Sequence, residues 1–139
     1  MRVPRVRICE NPAVVAAAAD ELGARCQPLV CVGGQPSAAV WRLLELLTAG
    51  GAEFEYHGDF DWGGVRIART VLPRVPWSPW RYDRPAYEAA VSAAHPLTPL
   101  AGEPVATPWD SELAPAMRHR NVRIEEELTL DLLLQDLGR

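Results

Sequence analysis

Glu53-Phe54-Glu55-Tyr56-His57-Gly58-Asp59-Phe60-Asp61-Trp62-Gly63-Gly64-Val65-Arg66-Ile67-Ala68-Arg69 decides the fold class of this chain. Phe54 and Tyr56 alternate with polar residues, which is the period of a β-strand. From Val65 onward the pattern reads as the opening of a helix. Asp59 and Asp61 therefore stand where a strand ends and a helix begins, and their spacing of two sends both carboxylates to one side of an extended chain. Two carboxylates projected together repel each other. A divalent cation such as Mg²⁺, a hard ion that takes oxygen ligands and keeps several waters, would offset that repulsion.

The flanking sequence repeats the strand–helix alternation. Upstream, residues 6–9 form a short apolar strand ending at Glu10-Asn11-Pro12, where Asn11 suits a helix N-cap and Pro12 the first helical position. An Ala-rich helix over 13–22 follows, with Gly23 placed to close it. Residues 28–32 read as a fully apolar, buried parallel strand, and Gly33-Gly34-Gln35-Pro36 as a turn. The 37–49 segment reads as an amphipathic helix with Val40, Leu43, Leu44 and Leu47 on one face. Downstream of the acidic turn come a helix over 64–72, a Pro-rich breaker over 73–79 and a fourth strand over 80–83. A helix body follows over 87–94 after Asp83-Arg84-Pro85, then a loop over 95–108 and a short helix from Trp109-Asp110 to His119. The chain closes, over 122–137, on a Glu-rich first turn and a Leu-rich helix. This order implies an α/β fold, with a parallel sheet of about four strands and helices on both faces. A single domain over residues 1–139 is expected.

Composition narrows the function classes. An apolar fraction of 48% with 23% charged residues is that of an ordinary globular protein. No apolar run approaches the ~18 residues of a membrane span, and the basic start over residues 1–7 is followed by a strand pattern instead of a leader's apolar core. A cytoplasmic protein without a membrane partner is expected. The net charge of −4 argues against a strongly basic nucleic-acid clamp. Cys9, Cys26 and Cys31 form no C-x₂-C pair, so neither a zinc site nor a disulfide framework is expected. All three read as structural thiols.

Ligands of parallel sheets bind beyond the carboxyl ends of the strands. Glu10 ends the first strand, and Asp59 and Asp61 follow the third. If those two strands are neighbours, the three carboxylates converge into a Mg²⁺ site suited to phosphoryl chemistry. Gly58, Gly63 and Gly64 would let backbone approach a phosphate, and the helix start offers unpaired N–H groups to an anion. The same Asp-x-Asp also reads as a helix cap beside a solvent-exposed neighbour.

A Glu ending the first strand, a strand–helix unit, and a later strand ending in Asp-x-Asp resemble the Toprim domain of topoisomerases, primases and related nucleases. The fuller set is Cys9-Glu10-Asn11-Pro12, Gly34-Gln35-Pro36-Ser37, His57-Gly58-Asp59-Phe60-Asp61-Trp62 with Gly64 and Ile67-Ala68, and Trp109-Asp110. It resembles the C-terminal Toprim-like domain of the JetD-type subunit of Wadjet anti-plasmid systems, which is similar to the Toprim part of the topoisomerase VI A subunit. The resemblance runs from about Val6 to Leu137. It implies a Toprim-like fold and Mg²⁺ bound by Glu10, Asp59 and Asp61, with Glu10 also a general acid/base at a scissile phosphodiester. Glu125 or Glu126 matches a further acidic position, and Glu126 is carried forward as the fourth metal candidate. Which of Glu125, Glu126 and Glu127 faces the site stays open, since acidic residues in a first turn also favour the helix dipole. In the longer family proteins DNA-binding and dimerisation regions precede this part. The implied partners are therefore DNA, reached mainly through other domains or subunits, an SMC-like complex, and a second copy in a homodimer.

Other residues carry weaker signals. Gln35 and Ser37 face the same crevice, with capping the simpler role for Ser37. His57 stands beside the acidic turn but reads first as a structural strand residue; His95 and His119 have nothing to recommend them as ligands. Arg66 and Arg69 could meet a DNA backbone or form a solvated face, and Trp77 and Trp80 read as packing residues. Two rivals to the nuclease reading stand: a small phosphatase or phosphotransferase using Asp59 as nucleophile, and a non-catalytic docking domain.

Overall fold

Alternation along one central strand organises the molecule. In the computed structural model, which describes residues 4–94 and 96–139, β1 (Arg5–Cys9) pairs in parallel with both β2 (Leu29–Cys31) and β3 (Glu53–Tyr56). Parallel pairing of β3 with β4 (Trp77–Pro79) completes a four-stranded sheet of order β2-β1-β3-β4. Ile8 and Val6 pack with Leu44 of α2 (Ala38–Ala49) and with Val65 and Ala68 of α3 (Trp62–Val71). Cys9 packs instead with Val14 and Ala18 of α1 (Pro12–Glu21) and with Leu133, Leu134 and Leu137 of α6 (Leu130–Leu137). Successive strand residues point to opposite faces, so helices cover both sides of the sheet. This α/β architecture is the expected fold class, consistent with a Rossmann- or Toprim-like fold.

The first larger cluster extends outward through Tyr87 of α4 (Arg84–Ala93) and Leu113 and Met117 of α5 (Leu113–Arg120). On the other face lies a nearly buried cation. Arg7 is 8% exposed, and its guanidinium donates to Glu55, Gln27 and the Asp136 carbonyl, each at 3.1 Å. Arg7 thereby ties neighbouring strands to the last turn of α6, the end of a helix that favours positive charge.

Several expected boundaries hold. Asn11 caps α1 through its side chain, with Pro12 at the first position. Ser37 and Asp83 cap α2 and α4 in the same way. Gly23 takes a left-handed φ of +54° just beyond α1. Cys9 is buried and Cys31 half-buried; neither they nor Cys26 form a disulfide.

Other expectations are corrected. The second strand is half-buried along its length, because it is a sheet edge and not an interior strand. Leu43 is 44% exposed, so the buried face of α2 is narrower than its pattern suggests. The fourth strand is Trp77–Pro79, inside the Pro-rich breaker, and not residues 80–83. It pairs only with β3, and an edge strand tolerates proline because one side of its ladder needs no donor. The Trp80 N–H donates to the Tyr56 carbonyl at 2.8 Å, after which Arg81 turns the chain at a φ of +50°.

The loop after α4 holds β5 (Thr98–Pro99), paired antiparallel with β6 (Val122–Arg123). Trp109 and Asp110 lie in a turn ahead of α5. The Asp110 carboxylate accepts the Arg84 N–H at 2.8 Å and the Glu112 N–H at 2.9 Å, so it ties the turn that leads into α5 to the start of α4. The Glu-rich run is not the first turn of α6: Glu126–Thr129 is a 3₁₀ turn that precedes it. The expectations about the basic start at residues 1–3 and about His95 lie outside the described residues. No helix among the described residues is long and apolar enough to cross a membrane.

Candidate functional site

Neighbouring strands bring the acidic residues together. Ile8 of β1 stands opposite Tyr56 of β3, so Glu10 and the 57–61 segment leave the sheet side by side at its carboxyl edge. One Glu10 oxygen, Oε1, accepts the Asp59 N–H at 3.0 Å. Asp61 caps α3, its Oδ1 accepting the Gly64 N–H at 2.6 Å. Asp61 thus fulfils the cap reading. A side-chain carbon at Gly64 would lie 2.9 Å from Glu10 Oε1 and 3.1 Å from Asp61 Oδ1. The two carboxylate oxygens are therefore no farther apart than those distances combined.

Glu126 enters from the far end of the chain. Phe60 and Ile124 form an antiparallel bridge, with N–H···O distances of 2.8 and 3.2 Å. Two residues on, the Glu126 N–H donates to Asp59 Oδ1 at 2.7 Å. The Glu126 carboxylate turns inward and is fully buried. Its Oε1 accepts the Asn11 N–H at 2.6 Å, both its oxygens accept the Glu10 N–H at 3.2 Å, and Oε2 meets His57 Nδ1 at 2.9 Å. Glu10, Asp59 and Glu126 form a ring in which each carboxylate holds the backbone N–H of the next residue. Glu127 is exposed and accepts from the Asn11 side chain, and Glu125 pairs with Arg123 at 3.0 Å. Of the three glutamates, Glu126 alone reaches the cluster's interior.

Aromatic rings wall this arrangement. His57 is buried among Phe60, Trp80 and Tyr82, with ring centroids 5.6–6.0 Å away. The Tyr82 hydroxyl donates to the Asp59 carbonyl at 2.7 Å. No sequence pattern marks Tyr82 for this task. Gln35 lines a shallow depression with Arg66, Arg69 and Thr70 of α3, and none of the clustered carboxylates lines it.

Burial, and then crowding of like charge, shows in the acidities. Burial, then the Asp59 carboxylate, push Glu10 up to about 8; the Asp59 N–H partly opposes this, and Glu126 and Asp61 add to it. Asp59 rises to about 6, again chiefly through burial, against the pull of the Glu126 N–H and with Asp61, Glu126 and Glu127 adding repulsion. No cationic side chain is among these influences.

The donor set is hard oxygen with unbalanced negative charge, which suits Mg²⁺. Among the described residues no group of three or more His, Cys, Asp or Glu side chains is placed to hold a metal ion. Mg²⁺ commonly uses one or two protein carboxylates and keeps several waters, so a site with fewer than three such ligands is compatible with it.

The chain matches the family model described as protein of unknown function C-terminus (DUF2399) over residues 1–137. It belongs to the DUF2399 family. The match spans every element of the site, from Glu10 through the acidic turn to Glu126. No curated protein matches the chain.

Proposed function

We propose that this chain is a Mg²⁺-dependent, Toprim-like domain that supports cleavage of DNA phosphodiesters. In its biological setting it would be the nuclease part of an SMC-associated, Wadjet-like anti-plasmid system. The observation that carries the chemistry is the convergence of Glu10, Asp59 and Asp61 at the carboxyl edge of the sheet, where burial and neighbouring carboxylates raise the acidities of Glu10 and Asp59. The motif resemblance carries the biological setting.

In this reading Glu10, Asp59 and Asp61 would hold Mg²⁺, with waters completing its shell. Glu126, though a candidate ligand by resemblance, acts from behind by fixing Glu10 and Asn11. When bound, Mg²⁺ polarises a phosphate oxygen and activates water. The resemblance also gives Glu10 the role of general acid/base, which would exchange a proton at the scissile phosphodiester. Gly63, exposed and lacking a side chain, leaves the approach beside Asp61 open.

The phosphotransferase rival leaves Glu10 idle, whereas here Glu10 holds the Asp59 backbone and shares its crevice. The test is cleavage of supercoiled plasmid in Mg²⁺, alone and with the system's partner subunits. Cleavage lost in Glu10→Gln, in Asp59→Asn and in EDTA supports the proposal. Phosphate trapped covalently on Asp59 would favour the phosphotransferase. Plasmid restriction unaffected by Glu10→Ala and Asp59→Ala would favour a docking role.

A further inference from the structure

We propose that the exposed face of α3, with Gly63, Arg66, Arg69 and Thr70, joins Gln35 to form a track for the phosphate backbone of a DNA strand leaving the carboxylate cluster. This inference rests on the phosphodiester reading and adds to it the path of the strand.

The helix begins at the cluster, where Asp61 is its cap, and carries no acidic residue of its own. Its buried side is Trp62, Gly64, Val65, Ala68 and Val71, which leaves Gly63, Arg66, Arg69 and Thr70 outward. Gln35, from the turn after β2, faces Arg66, Arg69 and Thr70 across an open polar depression of about 430 Å³. At ~1.5 Å per residue, Arg66 lies about 7.5 Å and Arg69 about 12 Å along the helix from Asp61. One DNA strand advances ~3.4 Å per phosphate, so both arginines fall within about four nucleotides of a phosphate held at the carboxylates.

The pairing pattern separates these arginines from most others. Arg74, Arg81, Arg84, Arg120 and Arg123 each pair with a carboxylate. Among the described residues Arg66 and Arg69 form no ion pair. One Arg66 nitrogen donates to the Glu103 carbonyl at 2.8 Å, which steadies the side chain while leaving its other donors free. A guanidinium so held suits a phosphate's oxygens. On a chain of net charge −4, this basic strip on the helix that starts at the carboxylates provides the grip on a phosphate backbone that the cluster itself lacks.

The experiment measures affinity for a short DNA duplex and the corresponding single strand across a salt series in EDTA. It compares wild type, the double variant Arg66→Ala/Arg69→Ala, and Arg25→Ala in the turn before β2, at the amino ends of the strands. All the altered side chains are exposed, and circular dichroism verifies folding. The expected result is a slope of log affinity against log salt that falls by about 2 in the double variant, roughly 1 per lost phosphate contact. Arg25→Ala should match wild type. The track is overturned if the double variant matches Arg25→Ala, or if wild-type binding is absent or independent of salt. Because binding is read without Mg²⁺, a failed track is distinguishable from failed cleavage chemistry, which the plasmid assay reads separately.

Discussion

The Glu10 N–H donates to both carboxylate oxygens of Glu126 at 3.2 Å, so the residue that offers its own carboxylate to the crevice is held from behind by a buried one. Glu126 also takes the Asn11 N–H and His57 Nδ1. Replacing Glu126 with Ala leaves these buried groups unpartnered and should cost about 3 kcal/mol or more. Denaturant unfolding of Glu126→Ala checks the figure. A double-mutant cycle with His57→Ala should return a coupling of about 0.5–3 kcal/mol, since the two side chains share one network.

The acidities of the cluster make stability depend on pH. Glu10 rises from a usual 4.5 to about 8, so the folded state holds its proton more tightly than the unfolded chain. This contribution is fully present below about 4.5 and is lost as pH rises through about 8. Asp59, raised from 3.8 to about 6, acts with the same sign over a lower window. Glu10→Gln should flatten the decline in metal-free buffer between about pH 5 and 8. Urea midpoints measured across that range test it, and a decline of equal steepness in Glu10→Gln would assign the effect elsewhere.

The glycines of the acidic turn differ in what they tolerate. A side-chain carbon at Gly64 would meet the Asp59 carbonyl at 2.4 Å and Glu10 Oε1 at 2.9 Å, while at Gly63 the nearest atom is 3.6 Å away. Gly64→Ala should therefore destabilise the fold by about 1–3 kcal/mol through overpacking. Gly63→Ala should stay within about 1 kcal/mol of wild type. Thermal unfolding of the two variants side by side reads the difference.

Asp136 links α6 to the chain after β4. It accepts from Trp80 Nε1 and Arg81 Nε at 2.7 Å and from a second Arg81 nitrogen at 3.0 Å. Arg81 is held there with a left-handed backbone, an uncommon state for a residue with a side chain. Asp136→Ala should cost about 1.5–3 kcal/mol, the range for hydrogen bonds to a charged group. Amide exchange should quicken around residues 80–82.

Local signals explain what was legible in the sequence. Asn11-Pro12 and the Asp-x-Asp turn are caps whose chemistry acts within a few residues, so the ends of β1 and β3 and the starts of α1 and α3 could be read directly. The meeting of Glu10 with Asp59 followed from parallel-sheet rules once β1 and β3 were neighbours. Long-range pairing was hidden. Trp77–Pro79 is a strand only because β3 offers it a ladder, and Pro79 with the preceding Pro76 masked it. Thr98–Pro99 pairs with residues more than twenty positions away, so nothing local announces it. Glu126 could not be singled out from Glu125 and Glu127, because the Phe60–Ile124 bridge decides which of them turns inward. The buried contact of His57 with Glu126 follows from the same bridge.

The most direct test of the shared cation is a Mn²⁺ titration followed by electron paramagnetic resonance, with Mn²⁺ standing in for Mg²⁺. The account predicts a bound Mn²⁺ signal in the wild-type chain that excess Mg²⁺ displaces, and that Glu10→Gln and Asp59→Asn each greatly weaken. Absence of binding to the folded wild-type chain, or binding unchanged in both variants, would contradict it.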